Sequence, residues 1–196
     1  MKKIYLFIIL LMVCSVLGVT AQNSRNCGTM AYLEAQQAAD PDLAIKMDQI
    51  ERETEQWITE NSQRVQAVVT IPVVFHVVYN TTAQNISDAR ILAQLDVLNK
   101  DFARLNADAS STPAVFQGVS VNTNIQFCMA QRDPSGNATT GIVRRQTSTT
   151  SFSSNNNIKF TSSGGSNAWP ASSYLNIWVG NLSGGLLGYA QFPGGS

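Results

Sequence analysis

Residues 67–79 read AVVTIPVVFHVVY. β-Branched and aromatic side chains dominate this run, so it reads as a buried β-strand. Pro72 has no backbone N–H, so it belongs near the strand start or on an edge. His76, the only histidine of the chain, falls inside the apolar run. A histidine in that setting reads as a hydrogen-bonded core residue.

The pattern on the C-terminal side supports an α/β fold. Residues 80–85 read as a turn, after which Ser87 can cap a helix. Ile91, Leu95, Leu98, Phe102 and Leu105 recur at helical spacing and predict one apolar face. Residues 106–111 end that helix, and residues 121–131 predict a second strand. A strand, a helix and a strand in succession imply a mixed α/β sheet backed by a helix. Residues 142–147 predict a short strand. Residues 148–157 are a polar loop, and residues 174–179 (YLNIWV) predict a further strand. Residues 184–196 are glycine-rich and read as mostly extended. No internal repeat is visible.

On the N-terminal side the composition changes. Residues 22–66 carry eight acids against four bases, whereas residues 67–196 carry five aspartates against seven bases. No glutamate follows Glu60. Opposite net charges predict two modules, the smaller docked on the larger. The small module reads as helical: Asp40 can cap, Pro41 suits the first helical position and Asp42 the first turn. Leu43, Met47, Ile50, Trp57 and Ile58 then give a single apolar stripe. One such helix cannot build a core, so it is expected to lie on the domain that follows.

Residues 1–21 have the form of an export signal. Lys2 and Lys3 precede an almost unbroken apolar run over residues 4–17, too short for a confident membrane span. Val19 and Ala21 supply small residues for cleavage after Ala21. Lipidation at Cys14 is disfavoured because Val13 is larger than the residue usual before such a cysteine. The expected product is secreted, in an oxidising compartment, with no stable membrane association.

The composition excludes several chemistries. Charged residues make up 13% of the chain, about half the usual share of roughly 25%. Bases and acids balance at 13 each, so nothing points to a nucleic-acid partner. A nucleophilic triad would have to use His76, which lies in the strand. A zinc enzyme needs about three protein ligands and a base, and one histidine without a glutamate in residues 67–196 cannot supply them. The glycine pairs at 184–185 and 194–195 lack the lysine and helix start of a phosphate loop. No catalytic residue is therefore expected in this chain.

Cys27 and Cys128 remain once the signal is removed. They can form a disulfide with each other or with other partners. Alternatively Cys27 is a free thiolate, a strong zinc ligand able to close a catalytic metal from a pro-segment.

At this point a resemblance emerges. The run Arg25-Asn26-Cys27-Gly28-Thr29 and the helix start Asp40-Pro41-Asp42-Leu43 resemble the pro-segment of bacterial pappalysin-family (ulilysin-like) zinc peptidases. Residues 71–79 (IPVVFHVVY) resemble the first strand of their catalytic domain. The likeness continues through residues 91–106, Phe127, residues 132–137 (RDPSGN), residues 140–142 (TGI) and residues 174–179. It ends in residues 188–194 (GYAQFPG).

The resemblance implies a secreted metalloendopeptidase of the metzincin clan, with zinc as cofactor, calcium as a second permitted ion, and a protein or peptide as substrate. It implies that residues 22–66 are a helical pro-segment and residues 67–196 the upper part of the catalytic domain. The zinc motif of the family lies on a helix after the glycine-rich stretch, so the chain is expected to stop short of it and to be inactive alone. By position, Cys27 matches the latency cysteine that ligates zinc in the zymogen. Gly185, Leu186, Leu187, Gly188 and Tyr189 match the sheet edge that takes substrate. Arg144 and Arg145 read as a solvated basic pair. The competing expectation is a non-enzymatic exported adhesin or binding module, which the Ser/Thr/Asn-rich surface suits.

Overall fold

The structure is a computed structural model of the chain and describes residues 25–61 and 67–194. The expected export signal at residues 1–21 lies outside the described residues. In chain order the elements are β1 (Asn26–Cys27), α1 (Thr29–Ala39), α2 (Asp42–Glu60), β2 (Val69–Tyr79), α3 (Asp88–Phe102), the short α4 (Ala114–Gln117), β3 (Ile125–Met129), β4 (Ile142–Gln146), β5 (Leu175–Val179) and β6 (Leu186–Gly188). The architecture is α/β, with a sheet of parallel strand pairs and a helix against it.

β2 is the spine of that sheet. Its first half pairs with β3 (Val69↔Ile125 to Val73↔Met129), its second half with β4 (Phe75↔Ile142 to Tyr79↔Gln146), and its middle with β5 (Val73↔Leu175 to Val77↔Val179). The position of Pro72 follows from this register. The backbone groups of Val69, Val73, Phe75 and Tyr79 bond towards the β3–β4 side. Even-numbered residues therefore face β5, whose pairing starts only at Val73. The missing N–H of Pro72 points to an edge that is still open there, so no ladder bond is lost.

Side chains alternate across β2. Val73, Phe75 and Val77 pack with Ile91 and Leu95 of α3 and with Phe127. Val78 on the opposite face packs with Phe152 and Ile158. Both faces are covered, which explains an apolar run without alternation. α3 starts where expected, with Ser87 Oγ accepting the Arg90 N–H at 3.4 Å. Its stripe is one residue shorter than predicted. The chain leaves the helix after Phe102, Arg104 adopts φ 56, and Leu105 ends 74% exposed. Arg144 departs from the expected solvated pair: it bonds Asn85, the Ile86 carbonyl and Asp88, tying β4 to the start of α3.

The N-terminal helices meet the expectation only in part. Asp40 caps as predicted, its Oδ1 accepting the Asp42 N–H at 3.1 Å. α1 precedes this cap and packs against the start of α2. Leu43 is buried, but Ile50, Trp57 and Ile58 are exposed, so the stripe of α2 is covered only at its beginning. Among the described residues no helix is long and apolar enough to cross a membrane.

Candidate functional site

His76 is a structural residue in this fold. It is fully buried, with Nδ1 2.9 Å from Ser166 Oγ and Nε2 3.0 Å from Asn176 Oδ1. Its ring stacks on Trp178 with centroids 4.9 Å apart. Burial pushes its pKa down, and the bond to Asn176 opposes that in part. Both ring nitrogens are engaged and the ring is closed to solvent, so it offers no base to a substrate.

The cysteines do not pair. Both are free thiols, Cys27 exposed and Cys128 half-buried, which removes the disulfide between them. Cys27 lies on β1, and β1 pairs in parallel with β6 (Asn26↔Leu186, Cys27↔Gly188). The Asn26 N–H donates to the Gly185 carbonyl at 3.2 Å and the Gly28 N–H to the Gly188 carbonyl at 2.8 Å. A Cβ at Gly28 would stand 2.5 Å from Leu186 Cδ1, so a larger residue there would require the leucine side chain to turn away, while the facing backbone at Gly188 O lies at 3.6 Å. The expected substrate edge is thus brought against the expected latency cysteine. One detail differs from expectation: β6 stands outside the four-stranded sheet, and its described strand partner is β1.

Thr29 links these two strands. Its Oγ1 accepts the Ala190 N–H at 3.1 Å and lies 3.3 Å from Cys27 Sγ. With a lone pair committed to Ala190, the hydroxyl proton is free to face the sulfur. The Thr29 hydroxyl, then its backbone amide, pull the Cys27 thiol pKa below its ordinary value. The thiolate, the form that binds metals, is therefore stabilised at position 27 relative to an ordinary cysteine.

A third contact sits one helical turn further on. Tyr32 is 4% exposed on a helix whose other residues are mostly open. Its hydroxyl and the Asn156 amide exchange hydrogen bonds of 2.9 and 2.6 Å. Its ring meets Tyr189 with centroids 4.9 Å apart. Lys159 Nζ stands over Tyr32, Tyr189 and Trp178 at 5.4, 5.6 and 5.7 Å. The sequence reading missed Tyr32, Asn156 and Lys159. The available signal was Tyr32-Leu33, a bulky pair within a helix of small and polar residues.

The zinc implied by the family fails a fit test on the described residues alone. They contain no group of three or more His, Cys, Asp or Glu side chains placed to hold a metal. Cys27 fits one coordination position, not a site. A depression lined by Thr149, Ser151, Asn155 and Ser183 carries no titratable side chain.

The fold is that of metzincin-type metallopeptidases, and the chain resembles one of their pappalysin-family members, mirolysin, in sequence and structure. Mirolysin in complex with compound 9 is 56% identical, with a TM-score of 0.62 over 66% of this chain and 48% of that one. Mature mirolysin of Tannerella forsythia in complex with a cleaved peptide is 56% identical, with a TM-score of 0.63 and the same coverage. A promirolysin mutant of Tannerella forsythia is 48% identical, with a TM-score of 0.61 over 76% of this chain and 53% of that one. The chain thus spans about half the length of the structures it matches. No protein-family model and no curated protein matches it.

Proposed function

We propose that the chain is the precursor portion of a secreted, zinc-dependent metalloendopeptidase. In this reading residues 1–21 direct export, residues 22–66 hold the enzyme latent, and residues 67–196 form the upper, peptide-binding part of the catalytic domain. The observation that carries the reading is the pairing of β1 with β6. A strand edge offers free N–H and C=O groups to an extended peptide, and β1 lies on the β6 edge with Cys27 beside Gly188. A peptide substrate cannot add to that edge while β1 occupies it.

The comparisons support the same reading. The promirolysin form matches more of this chain than the mature mirolysin structure does, 76% against 66%, which is what a matching pro-segment would add. The mature relative was captured with a cleaved peptide, so a peptide is the substrate class proposed here. When bound, zinc would supply a polarised water for attack on the peptide carbonyl. The residues of this chain contribute the strand edge and the Cys27 thiol, and no step of the hydrolysis is assigned to them.

The chain by itself is therefore expected to be inactive, with or without added zinc. The check is a quenched fluorogenic peptide incubated with the pure chain. Chelator-sensitive hydrolysis would overturn this proposal, because it would require a complete site within these 196 residues.

A further inference from the structure

We propose that the recess formed by Tyr189, Asn156 and Lys159 is a side-chain subsite of the peptide groove, selective for an aromatic residue and best filled by tyrosine. Tyr32 is its internal occupant in the precursor. The assignment rests on β6 being a peptide-binding edge, and it adds which side chain that edge prefers.

The recess adjoins the edge, since Tyr189 follows the last residue of β6 directly. β1 leaves the edge at Gly28, and the Tyr32 N–H bonds the Gly28 carbonyl at 2.9 Å, bringing the Tyr32 ring over Tyr189. A peptide that continued along β6 would place one of its own side chains at that point. The recess has aromatic chemistry: a tilted ring contact at 4.9 Å and a lysine ammonium 5.4 Å from the occupying ring. Such contacts favour a π-face over an aliphatic chain.

Asn156 adds selection for a hydroxyl. It is held at φ 68, an uncommon conformation for a residue other than glycine, and both ends of its amide meet the Tyr32 hydroxyl. Lys159 Nζ donates to Gln191 Oε1 at 3.3 Å and, among the described residues, has no carboxylate within ion-pair distance, so its charge remains available to an aromatic face. The Tyr189 hydroxyl is enclosed with the Asn156 backbone amide beside it, and its own proton finds no acceptor among the described residues; a peptide carbonyl beside Tyr189 would accept it.

The test uses the full chain with Tyr32→Ala, which empties the recess, and N-acetyl-tyrosinamide as probe. Binding is followed by the NMR resonances of Asn156, Lys159 and Tyr189. The expected result is saturable shifts at these three residues in the variant and none in the wild type, where Tyr32 fills the recess. N-acetyl-leucinamide should give none in either protein. Absence of shifts with the tyrosine probe, or equal shifts with the leucine probe, overturns the proposal.

A substitution series covers the case in which Tyr32→Ala fails to fold. Hydrogen exchange of the α1 amides should quicken only roughly two- to tenfold in Tyr32→Phe, which loses one hydroxyl. It should quicken on the order of a hundredfold in Tyr32→Leu, which loses the ring contacts and the hydroxyl. Leucine protecting as well as phenylalanine overturns the subsite. Either failure leaves the peptidase reading standing, because that reading rests on the pairing of β1 with β6 and on the likeness to mirolysin, not on the preference of this recess.

Discussion

Thr29 shows how much one hydroxyl can organise. It receives a proton from the Ala190 amide and turns its own towards Cys27 Sγ. Because the thiol pKa is lowered, the thiolate persists to lower pH than in an ordinary cysteine. Alkylation of Cys27 by iodoacetamide should therefore rise at a lower pH in the wild type than in Thr29→Val, with Thr29→Ser close to wild type. His76 makes the opposite kind of prediction. Its folded pKa is depressed by burial, so above the unfolded value of about 6.5 it adds no pH dependence. As pH falls below that value the unfolded chain binds a proton that the folded one refuses, and stability declines. Urea unfolding at pH 7 and pH 5.5 should show a smaller loss in His76→Gln than in the wild type. The core role of His76 was legible from its apolar neighbours. The role of Thr29 was not, because it depends on Ala190, which is 161 positions away.

Among the elements, β2 and α3 were the most legible, because their patterns are long and each is set by one period. The strand over residues 67–79 became Val69–Tyr79, and the helix start at Ser87 held. Prediction fell short at the ends. Leu105 continues the helical period in sequence, yet the backbone has already turned at Arg104. The way α3 grips the sheet was also hidden. Asn99 Oδ1 accepts the Phe127 N–H at 2.7 Å, and Asn99 Nδ2 donates to the Phe127 carbonyl at 2.9 Å. One amide thus closes both free groups of a β3 residue. Asn99→Ala should lower stability by about 2–4 kcal/mol, read by urea unfolding, because both backbone groups then lose their partner. Gly141 carries a different constraint. At φ 74, a Cβ would stand 2.9 Å from the Ala130 amide nitrogen, so Gly141→Ala should destabilise the turn into β4. A thermal midpoint unchanged in that variant would contradict this account of the turn.

At the scale of the whole molecule, the decisive feature is the meeting of the two ends of the described chain. Charge asymmetry between residues 22–66 and 67–196 predicted that a small module would dock. The docking itself is narrower than the apolar stripe of α2 suggested, since Trp57 is 51% exposed. Contact is concentrated at β1 on β6, Thr29 on Ala190 and Tyr32 in its recess. Residues 185–189 were identified only through resemblance, because no periodic pattern surrounds them, whereas for Cys27 cysteine chemistry left a disulfide and a zinc-ligating thiolate both open and the resemblance chose between them. Their juxtaposition is what gives the resemblance chemical content: a thiol and a covering strand lie on the strand proposed here to take a peptide. The central claim is that this chain belongs to the precursor of a zinc peptidase. The most direct measurement is the sequence of the gene on native template beyond codon 196. The account predicts an in-frame segment encoding His-Glu-x-x-His-x-x-Gly-x-x-His downstream. An in-frame stop codon before any such motif would contradict it.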